Sequence, residues 1–377
     1  MKTQFSFSDA SAKINQATDY FMLFGPVPDS DKPKEHVRKL YRQFSIAVYP
    51  ERVEPTEEKA ATYAFDKLSK LYQEALHAIE RNTYGKLVYI ATIAGKRATH
   101  NVVSALPGGD ICSTYKAETK TKDGLRMESF IKIAKSPTDK DLLQSEFRAL
   151  KRLREDPADS KFHVYFPELI ESFSYANGTK RQANVLVNLA GFYSLKEIGK
   201  LFPHGVSMLD ASWMWRRLLY TLGYAHNKGI VHGAVVPEHV MILPDKHGLV
   251  LVDWCYASVA LDDGIFPPIK ALINKYKDWY PDEVLQKQPP RPGTDMFMAT
   301  KVMIQLTGGD ALTGNYPEGR IGKPFRAFFK GCLLQSQQSR PQDAWQLLRE
   351  FDELLEAIGQ PYYPRKFRAF VMPQGVA

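Results

Sequence analysis

The sequence predicts an α+β protein whose helices and strands are segregated along the chain. Three observations carry this. Residues 9–82 repeat their apolar side chains at helical spacing, and four runs rich in β-branched and aromatic residues follow between Lys86 and Leu186. From Trp213 to Gly359 the pattern turns mainly helical again.

At the N-terminus, Ser8 or Asp9 is the expected cap of a first helix running through DYFMLFG, with Gly25 and PVPDSDKP as stop and turn. A second helix sets Val37, Leu40, Tyr41, Phe44 and Val48 on one face and Lys34, Arg38, Lys39 and Arg42 away from it. Tyr49-Pro50-Glu51 ends it, because a residue before proline is pushed out of the helical region. A third helix, roughly 57–80, aligns Ala61, Phe65, Leu68, Tyr72, Ala75 and Ile79, so the three are expected to pack as a small bundle over 9–82.

Strands are expected in KLVYIATIAG, RATHNVVSA, ICSTYKAET and MESFIKIAK, separated by Gly, Asp and Lys turns. One helix interrupts this region, DKDLLQSEFRALKRLRED, with Leu142, Leu143, Phe147, Leu150 and Leu153 on a common face. The stretch NLAGFYSLKEIG reads as a linker, followed by helices from WMWRRLLYTLGYAHNKG to PQDAWQLLREFDELLEAIG.

The chain has 377 residues, 44% of them hydrophobic and 12% aromatic, which fits two or three folding units and argues against disorder. No apolar run approaches the roughly 18 residues of a membrane span, and the N-terminus lacks an apolar signal core. Three scattered cysteines indicate neither a disulfide framework nor a zinc site, so the cytoplasm is the expected compartment and no membrane partner is expected. The net charge of +8 is spread along the chain, which suits a solvated surface better than a nucleic-acid interface.

The most informative segment is IVHGAVVPEHVMILPDKHGLVLVDWCYA at 230–257. It follows the layout H-R-D-x-x-x-x-N followed by D-F-G, with His232, Gly233, Ala234, His239, Asp253, Trp254 and Cys255 in the successive slots. Upstream, FIKIA places Lys132 on a strand between Ile131 and Ile133, and Glu146 lies fourteen residues on in the next helix. Downstream, Tyr280-Pro281-Asp282-Glu283 fills the A-P-E position, with Asp295 and Arg340 as expected scaffold residues. In these matches, which span about 250 residues, the chain resembles the protein-kinase family. The resemblance implies two lobes, a β-rich one at 86–190 and an α-helical one at 191–360, and a C-terminal tail at 361–377.

It also implies which chemistry is missing. Ala234 stands where a kinase carries the aspartate base, His239 where an asparagine holds a second magnesium, and Val236 where many kinases have a lysine. Gly108-Gly109-Asp110 is a sparse counterpart of the glycine-rich phosphate loop. Lys132, Glu146 and Asp253 fill their slots, Asp253 being the one implied metal ligand. ATP and magnesium are therefore the candidate cofactors, bound weakly if at all. Imidazole suits softer metals than magnesium.

The segment DYFMLFGPVPDSDKPKEHVRKLYRQFSIAVYPERVEP resembles a J-domain (DnaJ-like) in its opening, its basic second helix and its loop. J-domains carry His-Pro-Asp in that loop and stimulate the ATPase of DnaK-type chaperones; here the loop is Tyr49-Pro50-Glu51. Together the two resemblances imply a pseudokinase with a degenerate J-like module, a non-catalytic protein-binding or regulatory protein with protein partners, a DnaK-type chaperone among the candidates. The alternatives are an atypical phosphotransferase with Glu238 as its only nearby candidate base, and a purely structural interaction protein.

Overall fold

The computed structural model describes residues 5–17, 19–28, 31–85, 89–360 and 368–373, and the backbone but not the side chain of Asn177. The chain is a mixed α+β protein that divides into two compact units, Met1–Tyr89 with Met372–Ala377, and Ile90–Val371. The regions 86–190 and 191–360 thus fall almost entirely within one unit. Among the described residues no helix is long and apolar enough to cross a membrane.

The first unit is a helical bundle. Helix α1 (Phe7–Gln16) is capped by Ser6, whose hydroxyl accepts the Asp9 N–H at 3.1 Å. It does not run on into DYFMLFG. Ala17 is extended, and Asp19 caps a separate helix α2 (Tyr20–Phe24) by accepting the Met22 N–H at 2.8 Å, before Gly25 turns the chain at φ 67°. The cap is Ser6 rather than Ser8 or Asp9, and Asp19 offers the backbone a second start.

Helix α3 (Pro33–Ala47) opens on a proline at its first position, and α4 (Glu58–Glu80) is the long helix of the unit. Ile14, Phe24, Val37, Phe44, Val48 and Leu68 form the shared core. Pro50–Arg52 makes a short 3₁₀ turn between α3 and α4, where Tyr49, 39% exposed, meets Phe65 edge-on.

The second unit begins with strands β1 (Ala91–Ala94), β2 (Ala98–Leu106), β3 (Cys112–Thr121) and β4 (Arg126–Ala134). The strand expected from Lys86 is thus limited to Ala91–Ala94; residues 86–88 lie outside the described residues. Helix α5 (Lys140–Arg152), the short α6 (Ser160–His163), and strands β5 (Leu169–Asn177) and β6 (Thr179–Val187) follow. The sheet order is β1-β2-β3-β4-β6-β5, antiparallel throughout.

The sheet curls until its two edges meet. Glu171 of β5 accepts the backbone N–H groups of Lys96, Arg97 and Ala98 in the β1–β2 turn at 2.8–3.1 Å, and its Oε1 lies 2.7 Å from His100 Nε2. A Cβ at Gly95 would fall on that carboxylate, so this turn requires glycine.

On α5 the buried stripe runs through Leu142, Glu146, Ala149 and Leu150, with Leu153 just beyond the helix also buried. Phe147, expected on that face, is 37% exposed.

The stretch expected as a linker carries structure. Strand β7 (Tyr193–Ser194) leads into α7 (Leu195–Leu201), where Ser194 and Glu197 form a reciprocal capping box. After α8 (Met208–Asn227), strands β8 (Ile230–Val231), β9 (Val240–Leu243), β10 (Gly248–Leu251) and β11 (Ser258–Val259) form two small sheets, β10-β9-β7 and β11-β8. Helices α9 (Asp282–Leu285), α10 (Pro292–Leu306), α11 (Lys323–Cys332) and α12 (Ala344–Ala357) complete the unit. Nearly every side chain of α10 is buried, so it is the central post of the helical part. Phe370 returns to this part beside Phe202 and Trp213.

Candidate functional site

Strand alternation alone would send Lys132 to the face opposite Ile131 and Ile133, yet all three are buried, because α5 covers the lysine's face. The Lys132 ammonium has three hydrogens and three acceptors: Glu146 Oε1 at 2.8 Å, Asp253 Oδ1 at 2.7 Å and Cys255 Sγ at 3.1 Å. The structure thus brings together the three residues expected as the nucleotide site and adds Cys255. Burial opposes the lysine's charge, but the neighbouring groups, Asp253 foremost, hold its pKa well above the ordinary value. Burial pushes the Cys255 thiol up in turn, so it stays protonated.

Glu146 is fully buried, and its second oxygen accepts from Asn184 Nδ2 at 2.9 Å; the same amide reaches the Leu143 carbonyl at 2.9 Å. Asn184 sits opposite Lys132 in the β4–β6 register, so strand pairing brings it to the pair.

Asp253 follows β10 in a left-handed conformation, φ 64° and ψ 59°, uncommon for a residue with a side chain and favoured by its short polar group. Its Oδ2 lies 3.0 Å from His239 Nε2, while His239 Nδ1 lies 2.8 Å from the Ala234 carbonyl. Both ring nitrogens of His239 are thus engaged within the site. Burial opposes the Asp253 charge too, but Lys132 and His239 hold its carboxyl well below the usual range.

The loop carrying His232 and Ala234 is pinned from below. Asp295 of α10 accepts the backbone N–H groups of His232 and Gly233 at 2.7 and 2.8 Å, and its Oδ2 lies 2.9 Å from His226 Nε2. Gly233 has φ 76° and would drive a Cβ into the Tyr256 carbonyl. His232 donates from Nε2 to the Val252 carbonyl and accepts the Ala234 N–H at Nδ1, the neutral tautomer; burial pulls its pKa down to about 4.

Ala234 is completely buried, packed in a core cluster with Cys112, Ala134, Leu142, Leu143, Cys255 and Tyr256. Val236 is equally buried. The position expected for a proton acceptor is thus a hydrocarbon contact. Glu238, the other candidate base, bonds Lys196 at 3.0 Å, Lys275 at 2.8 Å and the Tyr276 hydroxyl. Burial opposes its charge, but those partners hold its pKa at about 2, which makes it a weak base.

Glu283 and Arg340 form a buried bidentate pair at 2.8 and 2.7 Å, joined by Thr294 Oγ1 at 3.0 Å from Glu283 Oε1. Gly108, Gly109 and Asp110 are exposed, and the Gly109 carbonyl accepts from Lys135 Nζ at 2.7 Å. Tyr49, Pro50 and Glu51 belong to the first unit's turn between α3 and α4.

Glu146, Asp253 and Cys255 lie close enough to surround a metal ion. Magnesium needs oxygen ligands at about 2.1 Å. Here the space among the three holds the Lys132 ammonium, the other Asp253 oxygen faces His239, and the thiol is soft. This arrangement does not fit magnesium, and the lysine has no hydrogen left for a phosphate. No protein-family model matches the chain, and no curated protein matches it.

Proposed function

We propose that the chain is a non-catalytic binding protein: a kinase-like frame that has lost phosphoryl transfer, joined to a J-like bundle. The observation that carries this reading is the closed cluster around Lys132, in which every ammonium hydrogen and both Asp253 oxygens are engaged by side chains of the protein itself. The buried methyl of Ala234 supports it, as do Asp295 and the Glu283–Arg340 pair, which hold the loop and scaffold without taking part in proton transfer. The atypical-phosphotransferase reading is disfavoured because Glu238, its one candidate base, is held by two lysines.

The test is incorporation of labelled phosphate by the purified full chain with ATP and magnesium, beside calorimetric titration of the same nucleotide. No incorporation, and weak or no binding, are expected. Robust incorporation that disappears in Lys132→Ala would overturn the reading.

For the bundle, the exposed Lys34, Arg38, Lys39 and Arg42 on α3 suit an acidic protein surface, with salt-sensitive affinity. Tyr49-Pro50-Glu51 is expected to leave a DnaK-type ATPase unstimulated. A steady-state ATPase titration decides it: full stimulation by the natural loop, equal to that of a Tyr49→His, Glu51→Asp double variant, would make the bundle an active cochaperone.

A further inference from the structure

Beside α7 a cavity of about 410 Å³ opens between that helix, the end of α10 and residues 275–276. Leu195, Phe202 and Leu306 give it apolar lining, and the charged side chains that line it are Lys196, Lys200 and Lys275. Lys196 and Lys200 stand four residues apart on α7, hence on one face. Glu238 follows Pro237, which lines the cavity, and pairs with both Lys196 and Lys275. Lys200 is exposed and makes no ion pair among the described residues. The lining thus carries three ammonium groups, two of them paired with Glu238, and Lys196 also lies near the Glu197 carboxylate.

A phosphate monoester carries about −1.5 to −2 at neutral pH and offers three acceptor oxygens. We propose that this cavity binds a phosphate-monoester dianion, with Glu238 holding two of the lysines in place and Lys200 completing the site. Its negative charge complements the three lysines, and its oxygens can take the ammonium hydrogens that Glu238 leaves free. The site stands whether or not the Lys132 cluster admits nucleotide, since it shares no residue with that cluster.

The experiment is calorimetric titration of the full chain, at low and at moderate salt, with two probes: inorganic phosphate, and a phosphoserine peptide with its unphosphorylated counterpart as control. Lys200→Glu is the test variant, because the side chain is exposed and makes no ion pair among the described residues. Lys120→Glu, exposed on β3, makes the same charge change elsewhere. Binding of a phosphorylated probe is expected to weaken about tenfold or more in Lys200→Glu and to hold in Lys120→Glu. Binding of both probes would assign the site to phosphate as such; binding of the phosphopeptide alone would assign it to a phosphorylated side chain of a partner. The proposal fails if neither probe binds at low salt, or if the two charge reversals weaken binding equally.

Discussion

At Lys132 one side chain satisfies a fully buried carboxylate, a partly exposed one and a thiol, so its loss is felt by more than one partner. In Lys132→Met the fully buried Glu146 keeps Asn184 but loses its counter-ion, and unfolding in urea should show a loss of about 3–5 kcal/mol. His239 is the second control point. His239→Asn withdraws the imidazole from Asp253, so the variant should unfold at a lower temperature than the natural chain, and magnesium should not restore it, because Lys132 still fills the space between Glu146 and Asp253. His232 gives a pH signature. Its folded pKa of about 4 lies below the ordinary 6.5, so between those values the unfolded chain binds more protons. Stability from this residue is complete above pH 6.5 and falls as the pH drops toward 4, by roughly 3 kcal/mol in all. A stability–pH curve should flatten over that window in His232→Phe. Lys132, Glu146 and Asp253 were legible in the sequence from order and spacing. Cys255 as third acceptor, and the turn of His239 onto Asp253, were not, because both depend on the backbone bend at Asp253.

Among the elements, α5 offers a direct contrast between two apolar residues. Leu143 is fully buried and Phe147 is 37% exposed. Leu143→Ala should cost about 2–5 kcal/mol in denaturant unfolding, whereas Phe147→Ala should cost far less. Periodicity placed both on one face, since a helical stripe read from sequence has no sharp edge. Helix α7 was missed although its signal was present: Ser194-Leu195-Lys196-Glu197 has the capping-box pattern, overlooked because the segment before it looks like a connection. Ser194→Ala should lower stability by about 1 kcal/mol, read from the shift in denaturation midpoint. The split between α1 and α2 was obscured in the same way, by apolar spacing that continues across Asp19.

On the scale of the whole molecule, the second unit depends on links between residues far apart in the chain. Glu283 and Arg340 are such a pair, both buried. Arg340→Met should cost about 3–5 kcal/mol, and adding Glu283→Gln should restore much of it, because the penalty comes from the stranded carboxylate. Equal losses in the single and double variants would assign the cost to packing. The sequence contained the two ends of another such link: His100 falls among inward-facing Ala98 and Val102, and Glu171 alternates with the buried Phe173. What it could not supply was that the sheet curls far enough to bring them together.

That closure has a consequence for how the chain is made. The turn at residues 96–98 finds its acceptor 73–75 residues later, in Glu171. At synthesis rates of about 5–20 residues per second, the first hairpin is translated roughly 4–15 s before its partner. During that interval its three amides and His100 Nε2 have only water, so a nascent chain stalled before residue 171 should be open to proteases at this turn, and one stalled well beyond β6 should resist them there.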